Sequence, residues 1–207
     1  MDTKQMDEWK EAQKWEKEWH GDCVNSFHEE RKQFVYANRM GLDEFKYDDF
    51  GRINYNFGDR TVIDIGGGPY SLLLKSSAKF RTVVDPCQYP DWVLARYKET
   101  GIYFCKVPAE TINIFDLKVK QYDIALIYNC LQHVIDPEKI IANVRKIAKE
   151  IRIFEWIDHG VSAGHLHNLK EDKLNLWLHG RGKVEQVNEI GCRGKAYYGI
   201  FPVNYTL

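Results

Sequence analysis

Three consecutive glycines follow a run of residues typical of a buried β-strand. The run is Thr61–Ile65, and the glycines are Gly66, Gly67 and Gly68. Glycines permit a tight turn and let a ligand approach the backbone. The carboxyl end of such a strand is also where open α/β sheets bind nucleotide-like ligands. Asp85 ends the next apolar segment, where a carboxylate can accept both hydroxyl groups of a ribose. The pattern therefore predicts a site for a nucleotide-like cofactor.

The residues around this loop favour a cofactor that is cationic and lacks phosphate. A dinucleotide fingerprint, G-x-G-x-x-G, places pyrophosphate at a helix N-terminus. Here Ser71 stands at the third glycine position, and Asp64 precedes the loop. A carboxylate at Asp64 repels pyrophosphate but suits S-adenosylmethionine, whose amino group it could hold directly or through water. An NAD-dependent oxidoreductase is thereby disfavoured, and a glycine turn that only connects a strand to a helix is the structural alternative.

Strand and helix patterns alternate along the chain from Thr61. The predicted strands are 61–65, 81–85, 102–107, 122–128 and 151–156, followed by two paired strands at 183–190 and 195–203. The predicted helices are 71–75, 90–100, one that begins at Asp136, and 171–179. Trp92 and Tyr97 are expected to face inward, and residues 47–59 to form a loop. The pattern predicts an α/β fold whose mostly parallel, doubly wound sheet is covered on both faces.

Two motifs of the chain resemble those of class I S-adenosylmethionine-dependent methyltransferases. The segment from Val62 to Gly68 is similar to that family's first motif, and Asp85 matches its ribose-binding acid. Residues 128–134, Tyr-Asn-Cys-Leu-Gln-His-Val, resemble the segment after the family's fourth strand, with Gln132 in place of the usual Glu. The stretch Pro108-Ala109-Glu110 falls where the family places residues around adenine, with Pro108 replacing the usual Asp.

The resemblance covers about residues 55–207 and carries several expectations. It implies a Rossmann-like sheet of seven strands with an antiparallel last strand, and S-adenosyl-L-methionine as the cofactor. The cofactor contacts that it implies are Asp64, Gly66, Gly67, Gly68, Asp85, Ala109, Glu110 and Asn129. It also implies that the N-terminal helices form a cap, so that residues 1–45 cover a cofactor-binding domain at 46–207.

His133, Glu155 and His159 are the candidate catalytic residues. His133 follows the fourth strand at the edge where the ligand is expected, and histidine titrates near neutral pH, as a general base requires. Glu155 and His159, with Asp158 between them in the same segment, follow the fifth strand at that edge. Each has a structural alternative: His133 as a histidine that packs at a helix start, the others as residues of a surface loop.

Further histidines after the fifth strand raise the question of a metal ion. His159, His165 and His167, with Glu155 and Asp158, offer donors that a divalent ion accepts. However, the oxygen-rich spacing of a magnesium site is not evident, and His-x-His occurs widely without metal. We therefore expect no metal, and a loop in which His165 and His167 contact the substrate.

The N-terminal segment is unusually rich in tryptophan. Trp15 and Trp19 are four residues apart and share a helix face, but the helix around them is too polar to fold alone. Ser26 and Glu29 form a plausible capping box for a second helix that would end at Gly41. We expect this segment to dock over the cofactor, with Trp19 and Tyr36 reaching the substrate. A packing helix far from the site is the alternative.

Composition excludes several classes of function. The net charge is −1, so the chain is not built to bind nucleic acid or anionic lipid through bulk charge. No apolar run approaches the roughly 20 residues that a membrane span needs. The five scattered cysteines predict reduced thiols and a cytoplasmic protein.

Asn129 is followed by Cys130 rather than by Pro-Pro-Tyr, which disfavours a DNA base or glutamine as the methyl acceptor.

The sequence therefore predicts a cytoplasmic enzyme that transfers a methyl group from S-adenosylmethionine to a small molecule. The expected acceptor is a hydroxyl oxygen of a sugar or another metabolite. Two alternatives stay open: a methyltransferase-like subunit that binds the cofactor without catalysis, and an NAD-dependent oxidoreductase.

Overall fold

The computed structural model describes residues 3–21, 23–42, 45–47, 53–113, 117–162, 164–189 and 191–203. The helices are α1 (Thr3–Gly21), α2 (Cys23–Arg39), α3 (Asp91–Glu99), α4 (Pro137–Ile147) and α5 (Glu171–Leu178). The strands are β1 (Phe45–Tyr47), β2 (Ile53–Asn56), β3 (Thr61–Ile65), β4 (Ser76–Ser77), β5 (Phe80–Val84), β6 (Tyr103–Cys105), β7 (Tyr122–Tyr128), β8 (Ala148–Ile157), β9 (Lys183–Glu189) and β10 (Cys192–Pro202). Within these ranges no helix combines the length and apolar character needed to cross a bilayer.

Seven strands form the central sheet, in the order β6-β5-β3-β7-β8-β10-β9. The strands β3, β5, β6, β7 and β8 are parallel, as in the pairing of Val62 with Ile124. The last strand, β10, is inserted between β8 and β9 and is antiparallel to both. Buried apolar clusters cover both faces of the sheet. The predicted α/β class, the seven-stranded sheet and the reversed last strand are confirmed.

A second sheet of three short strands corrects the prediction of a loop at 47–59. It has the order β1-β2-β4, with β1 and β2 antiparallel and β2 and β4 parallel. Tyr55 of β2 is buried and joins the core beside the central sheet. The Asn- and Gly-rich composition suggested a loop, but alternation places Tyr55 inward while Asn56 stays exposed. Residues 48–52 of that prediction lie outside the described ranges.

Two predicted helices differ from the observed elements. The segment after the glycine loop forms two 3₁₀ turns, Gly68–Tyr70 and Leu72–Lys75, instead of an α-helix. In α3 the prediction is half right, since Tyr97 is buried but Trp92 is 50% exposed. Val93 and Tyr97 are four residues apart and take the inward face, so Trp92 points away from it.

The helix α4 begins as predicted. The Asp136 side chain accepts a hydrogen bond from the Lys139 backbone N–H at 3.0 Å, and Pro137 occupies the first turn. Its apolar stripe is fully packed on the sheet through Ile140, Ile141, Val144 and Ile147. An N-cap, a proline in the first turn and a 3.6-residue apolar period agree here, which is why the prediction is accurate.

The helix α2 is part of the core, whereas α1 is more superficial. Tyr36, Ala37 and Met40 are fully buried against the sheet. The helix ends near Gly41, as predicted, because Gly41 adopts a φ of 68° and Leu42 N–H bonds back to the Ala37 carbonyl at 2.8 Å. It begins at Cys23, before the predicted start, and the Ser26 side chain of the expected capping box lies outside the described part of the chain.

Candidate active site

A cavity of ≈ 370 Å³ lies at the carboxyl edge of the central sheet, beneath α1 and α2. The helices contribute Trp9, Gln13, Trp15, Glu16, Trp19 and His20 from α1, and Glu29, Lys32 and Gln33 from α2. The strand ends and their loops contribute Gly66, Gly67, Gly68, Asp85, Tyr89, Ala109, Glu110, Asn129, Cys130, Gln132, His133, His159, His165 and His167. Most of the predicted site residues therefore line this one cavity, although they come from many segments of the chain.

The glycine loop owes its shape to backbone conformations that side chains rarely adopt. Gly66 and Gly68 have φ values of 69° and 60°. A Cβ at Gly66 would lie 2.6 Å from the Cβ of Cys130. A Cβ at Gly67 would lie 2.7 Å from Asp64 Oδ2 and 3.0 Å from Val83 Cγ1. Gly66 and Gly67 are therefore needed for packing beneath the loop, in addition to any contact above it.

Two tyrosines that were not predicted as site residues, Tyr97 and Tyr128, hold this loop. The Tyr97 hydroxyl donates to the Gly68 carbonyl at 2.6 Å and accepts from the Ser71 N–H at 3.1 Å. The Tyr128 hydroxyl donates to Asp64 Oδ2 at 2.7 Å and accepts from the Leu72 N–H at 2.9 Å. Both rings come from other elements, so only the folded chain brings them to the loop.

Asp64, expected to hold the cofactor's amino group directly or through water, lies beneath the glycine loop and is not among the residues that line the cavity. Its Oδ2 accepts from the hydroxyls of Ser71 and Tyr128, while its Oδ1 is a buried oxygen without a hydrogen-bond partner. Burial raises the pKa of Asp64 to about 7, despite the hydrogen bonds that lower it. Its observed contacts fix the loop, and only Oδ1 is left for a further donor.

Asp85 is the buried carboxylate that faces the cavity. Oδ2 accepts from the Gly68 N–H at 3.0 Å, and Oδ1 accepts from the Cys87 N–H at 2.9 Å. Burial raises the pKa of Asp85, and the two backbone donors lower it in part. Each carboxylate oxygen can accept more than one hydrogen bond, so Asp85 is held rigidly while keeping acceptor capacity toward the cavity.

Ala109, Glu110 and Asn129, which the sequence predicts as cofactor contacts, line the same cavity. The Glu110 carboxylate accepts from the backbone N–H groups of Ile135 and Asp136 at 2.8 and 3.3 Å, and so fixes the turn before α4. Asn129 adopts a left-handed φ of 48°, and its amide donates to Glu29 Oε1 at 3.1 Å. Glu110 therefore has a structural partner, and Asn129 connects the strand end to α2.

His133 is the centre of a cluster of ionisable groups in the cavity wall. Its Nδ1 lies 2.7 Å from the Gly164 carbonyl oxygen and 3.0 Å from Glu16 Oε1. The Gly164 carbonyl and the Glu16 carboxylate therefore both lie within hydrogen-bonding distance of the same ring nitrogen. Burial lowers the pKa of His133, but the Glu16 carboxylate raises it by more, and the net shift is upward. His20 Nε2 lies 3.4 Å from the other oxygen of Glu16.

The remaining predicted histidines reach the cavity by different routes. His165 packs its ring against that of His133, with centroids 4.7 Å apart, and burial lowers its pKa. His167 Nε2 lies 2.7 Å from the Val134 carbonyl, and His159 is exposed over Gly194. Among the residues that the structure describes, no group of three or more His, Cys, Asp or Glu side chains could hold a metal ion.

Besides Asp64, two further predicted site residues, Glu155 and Tyr36, do not line the cavity. Glu155 lies within β8, fully buried, and its Oε1 accepts from the Cys130 and Leu131 N–H groups at 3.1 Å. Tyr36 is fully buried against Phe154, and its hydroxyl donates to Glu29 Oε1 at 3.2 Å. The structure thus corrects the direct roles expected for both: Glu155 holds the segment before His133, and Tyr36 packs under the cavity wall.

The tryptophans of α1 share a face, as predicted. The rings of Trp15 and Trp19 are stacked with centroids 5.2 Å apart, and both line the cavity. A Cβ added to Gly164 would lie 2.8 Å from Cε3 of the Trp15 ring, so this ring packs closely against Gly164. The helix α1 therefore touches the loop that supports His133.

Sequence reasoning missed Glu16 and Glu29, which are the two acidic residues that the N-terminal helices bring into the cavity wall. Glu29 lies 100 residues before its partner Asn129 in the sequence, and Glu16 is similarly distant from His133. The signal available was weak: Glu16 and His20 are four apart on the face that carries Trp9 and Trp19, a spacing that also suits a solvated helix.

No protein-family model and no curated protein sequence matches this chain. Solved structures do. A chain of the complex between the Haloferax volcanii Trm112 methyltransferase activator and a methyltransferase superposes with a TM-score of 0.65 at 11% identity, over 92% of this chain and 98% of that one. The DhpI–SAH complex superposes with a TM-score of 0.58 at 13% identity, over 96% of both chains. The N-methyltransferase NodS from Bradyrhizobium japonicum WM9, in complex with S-adenosyl-L-homocysteine, gives 0.57 at 14% identity, over 84% and 87%.

The chain has the class I methyltransferase fold. In this methyltransferase fold the cavity lies at the carboxyl ends of β3, β5, β6 and β7, where an open α/β sheet binds its ligands. The sequence identities are low, so the likeness defines the fold and leaves the activity to be argued from the site.

Proposed function

We propose that this protein is an S-adenosylmethionine-dependent methyltransferase that acts on a small molecule, at a hydroxyl oxygen of a sugar or another metabolite. The observation that carries the proposal is the meeting of the glycine loop, Asp85 and His133 in the wall of one cavity. When bound, S-adenosylmethionine supplies an electrophilic methyl group on a positively charged sulfur. The protein then has to position the acceptor, exclude water and receive a proton.

The cavity suits this cofactor in size, shape and charge. Its volume of ≈ 370 Å³ falls in the range of small-molecule sites. A Cβ on Gly68 would meet only the Tyr89 hydroxyl within 4 Å, at 3.9 Å, so the loop is open on that side. The carboxylates of Asp85 and Asp64 favour a cationic ligand with ribose hydroxyls over a pyrophosphate.

Each predicted cofactor residue has a proposed part. Asp85 accepts the ribose hydroxyls, and Gly66, Gly67 and Gly68 let the cofactor lie against the backbone. Ala109 and Glu110 border the adenine, with Glu110 acting through the turn that it fixes. The side chain of Asn129 borders the methionine end of the cofactor. Asp64 acts from beneath the loop, through Oδ1.

On the acceptor side, His133 is the proposed general base. It lies in the cavity wall beside a carboxylate, which stabilises the imidazolium that forms when a hydroxyl gives up its proton. Trp19, His159, His165 and His167 border the proposed acceptor site. We assign residues 1–45 to a cap and 46–207 to the cofactor-binding domain, in a protein that works in the cytoplasm.

Turnover tests this function. The purified protein is incubated with S-adenosylmethionine and pooled hydroxylated metabolites, and mass spectrometry follows S-adenosylhomocysteine and products heavier by one CH₂ group. Formation of both, lost in His133→Asn but kept in Asp59→Asn at the opposite end of the sheet, supports the proposal. Binding of S-adenosylhomocysteine without turnover in any pool favours a non-catalytic subunit. In a separate incubation of the protein with NAD and the same pools, reduction of NAD favours an oxidoreductase.

A further inference from the structure

We propose that Glu16, on the N-terminal helix α1, is a positioning residue that completes the base at His133, so that the site is competent only with α1 docked. This inference rests on the proposed function, because it assigns His133 a proton to receive. It adds a residue that lies outside the sheet domain, and it gives α1 a chemical part beyond covering the cavity.

The contact between Glu16 and His133 is close and shielded from solvent. Glu16 Oε1 lies 3.0 Å from His133 Nδ1, and the two side chains are each 14% exposed. The stacked Trp15 and Trp19 belong to the same helix, and Trp15 lies against Gly164, whose carbonyl also touches Nδ1. Docking of α1 and the position of the His133 ring are thus set by the same small group of contacts.

The neighbours of Nδ1 select one tautomer of His133. The Gly164 carbonyl can only accept a hydrogen bond, so Nδ1 carries the proton and Nε2 bears the lone pair in the neutral ring. Nε2 lies 3.2 Å from the amide nitrogen of Gln132, which can donate to that lone pair. Gln132 Oε1 is buried without a hydrogen-bond partner, so the amide has an acceptor to offer an incoming ligand. Nε2 is therefore the nitrogen that can receive a proton, once the acceptor hydroxyl takes the place of the Gln132 amide at its lone pair.

The proton balance of the step follows from this geometry. The O–H bond of the acceptor breaks and an N–H bond forms at Nε2. The electron pair of the oxygen forms the new C–O bond while the methyl–sulfur bond breaks, and that bond's electron pair stays on the sulfur of S-adenosylhomocysteine, the leaving group. The imidazolium then has both nitrogens protonated, and its charge faces Glu16 at 3.0 Å. Such a carboxylate favours the charged ring and fixes its orientation, without taking the proton itself.

A purely structural role for Glu16 is less consistent with its surroundings. Burial of a carboxylate is costly unless cationic or donor groups compensate it. The groups that face it are both imidazoles, His133 at 3.0 Å and His20 at 3.4 Å. The pKa of Glu16 is held at about 2: burial raises it, and the two histidines lower it by more. The helix thus carries an ionised acid into the cavity wall beside the ring that we propose as the base.

Other ionisable groups also face His133, and the test must separate them from Glu16. His165 packs on the His133 ring from the loop after β8, and Glu155 lies beneath the segment that precedes His133. His20, on α1, faces Glu16 itself. The substitution Glu16→Gln removes the charge and keeps the shape. Glu16→Asp keeps the charge and withdraws it from Nδ1. Glu18→Gln, at an exposed position of the same helix, is the matched control.

The decisive measurement is the NMR titration of the His133 ring in the intact protein, which needs no turnover. We expect its midpoint to move to lower pH in Glu16→Gln, less so in Glu16→Asp, and not in Glu18→Gln. In a parallel assay kcat should fall about tenfold or more in Glu16→Gln, a part of the ~10²–10⁴-fold that a positioned base contributes. The acid limb of the kcat profile should move with the NMR midpoint, while KM for S-adenosylmethionine changes little.

An unchanged His133 midpoint in folded Glu16→Gln would overturn the inference, and circular dichroism establishes that the variant is folded. If Glu16→Gln does not fold, the Glu16→Asp titration decides in the same way. Failure of the proposed function gives a different pattern: the unmodified protein shows no turnover, while the NMR midpoint still responds to Glu16.

Discussion

Asp64 and Asp85 are similar buried carboxylates that differ in function because they lie at different positions relative to the cavity. Both are buried at the ends of neighbouring parallel strands, and burial raises the pKa of each. Asp64 is bound by the hydroxyls of Ser71 and Tyr128 beneath the loop, whereas Asp85 is held by backbone N–H groups and faces the cavity. The cofactor affinity should therefore depend directly on Asp85, and on Asp64 through the shape of the loop.

Replacement of Asp85 tests the first of these statements. In Asp85→Ala the ribose hydroxyls lose their acceptor, so the binding free energy of S-adenosylhomocysteine should weaken by roughly 1.5–3 kcal/mol. This corresponds to about 10- to 150-fold in Kd, measured by calorimetry. Asp59→Ala, at an exposed turn before β3, should bind normally. Equal affinities in the two variants would remove Asp85 from the site.

Gly67 carries a prediction about stability. The sequence suggests that a side chain there would block the cofactor, but its Cβ would point at Asp64 Oδ2 and Val83. Gly67→Val should therefore lower the free energy of unfolding by about 1–3 kcal/mol through overpacking, measured by urea unfolding. Gly21→Val, where a Cβ meets nothing within 4 Å, is the control. A Gly67→Val protein as stable as that control would contradict the packing argument.

At the scale of elements, α1 and α2 differ in how much the fold depends on them. The helix α2 gives the core the fully buried side chains of Tyr36 and Ala37. Its Arg39 guanidinium also binds β9, at 2.8 Å from Glu185 and 2.7 Å from Glu189. Among the side chains of α1 that the structure describes, the buried apolar one is Ala12. The proposed cap at 1–45 therefore contains one helix that the core requires and one that mainly covers the cavity.

Deletion of residues 1–21 separates these contributions. The shortened chain should fold, because α2 and the sheet keep their packing, and should bind S-adenosylhomocysteine with reduced affinity. Its turnover should fall by roughly two orders of magnitude, since Glu16 and the tryptophans that exclude water are gone. Circular dichroism, calorimetry and the methyl-transfer assay measure the three properties. Full turnover by a folded, shortened chain would show that α1 has no part in catalysis.

The docking of α1 should also depend on pH through Glu16. Its pKa is about 2 in the folded protein, against an ordinary value of 4.5, because the two histidines outweigh burial. A lowered folded-state pKa means that Glu16 stabilises the fold above pH 4.5 and that this contribution is lost as the pH falls toward 2. The unfolding free energies of the unmodified protein and Glu16→Gln should therefore converge over that interval in urea titrations. A constant difference would argue against the ion pairs.

Local signals account for the elements that the sequence predicts well. The strand Tyr122–Tyr128 and the start of α4 combine an apolar run or a capped helix with a matching period, so no distant residue is needed to specify them. Residues 53–56 form a strand because β1 and β4 pair with them, and Trp92 points outward because Val93 and Tyr97 occupy the inward face. These outcomes depend on neighbours that the local pattern does not contain.

For the whole molecule, the sequence predicts which strand ends form the site better than it predicts what closes it. Parallel strands place their carboxyl ends at one edge, so the glycine loop, Asp85 and His133 could be expected together. The meeting of Glu16 with His133, and of Glu29 with Asn129, depends on how α1 and α2 dock across that edge. Such long-range pairing leaves no periodic trace in the sequence, so Glu16 and Glu29 could not be predicted as residues of the cavity wall.

On the proposed function, the cavity at the carboxyl edge of the central sheet binds S-adenosylmethionine rather than a dinucleotide. Calorimetric titration of the unmodified protein with S-adenosylhomocysteine, and separately with NAD, tests it most directly. We expect saturable binding of one S-adenosylhomocysteine per chain and no measurable binding of NAD. Binding of NAD with no binding of S-adenosylhomocysteine would contradict it.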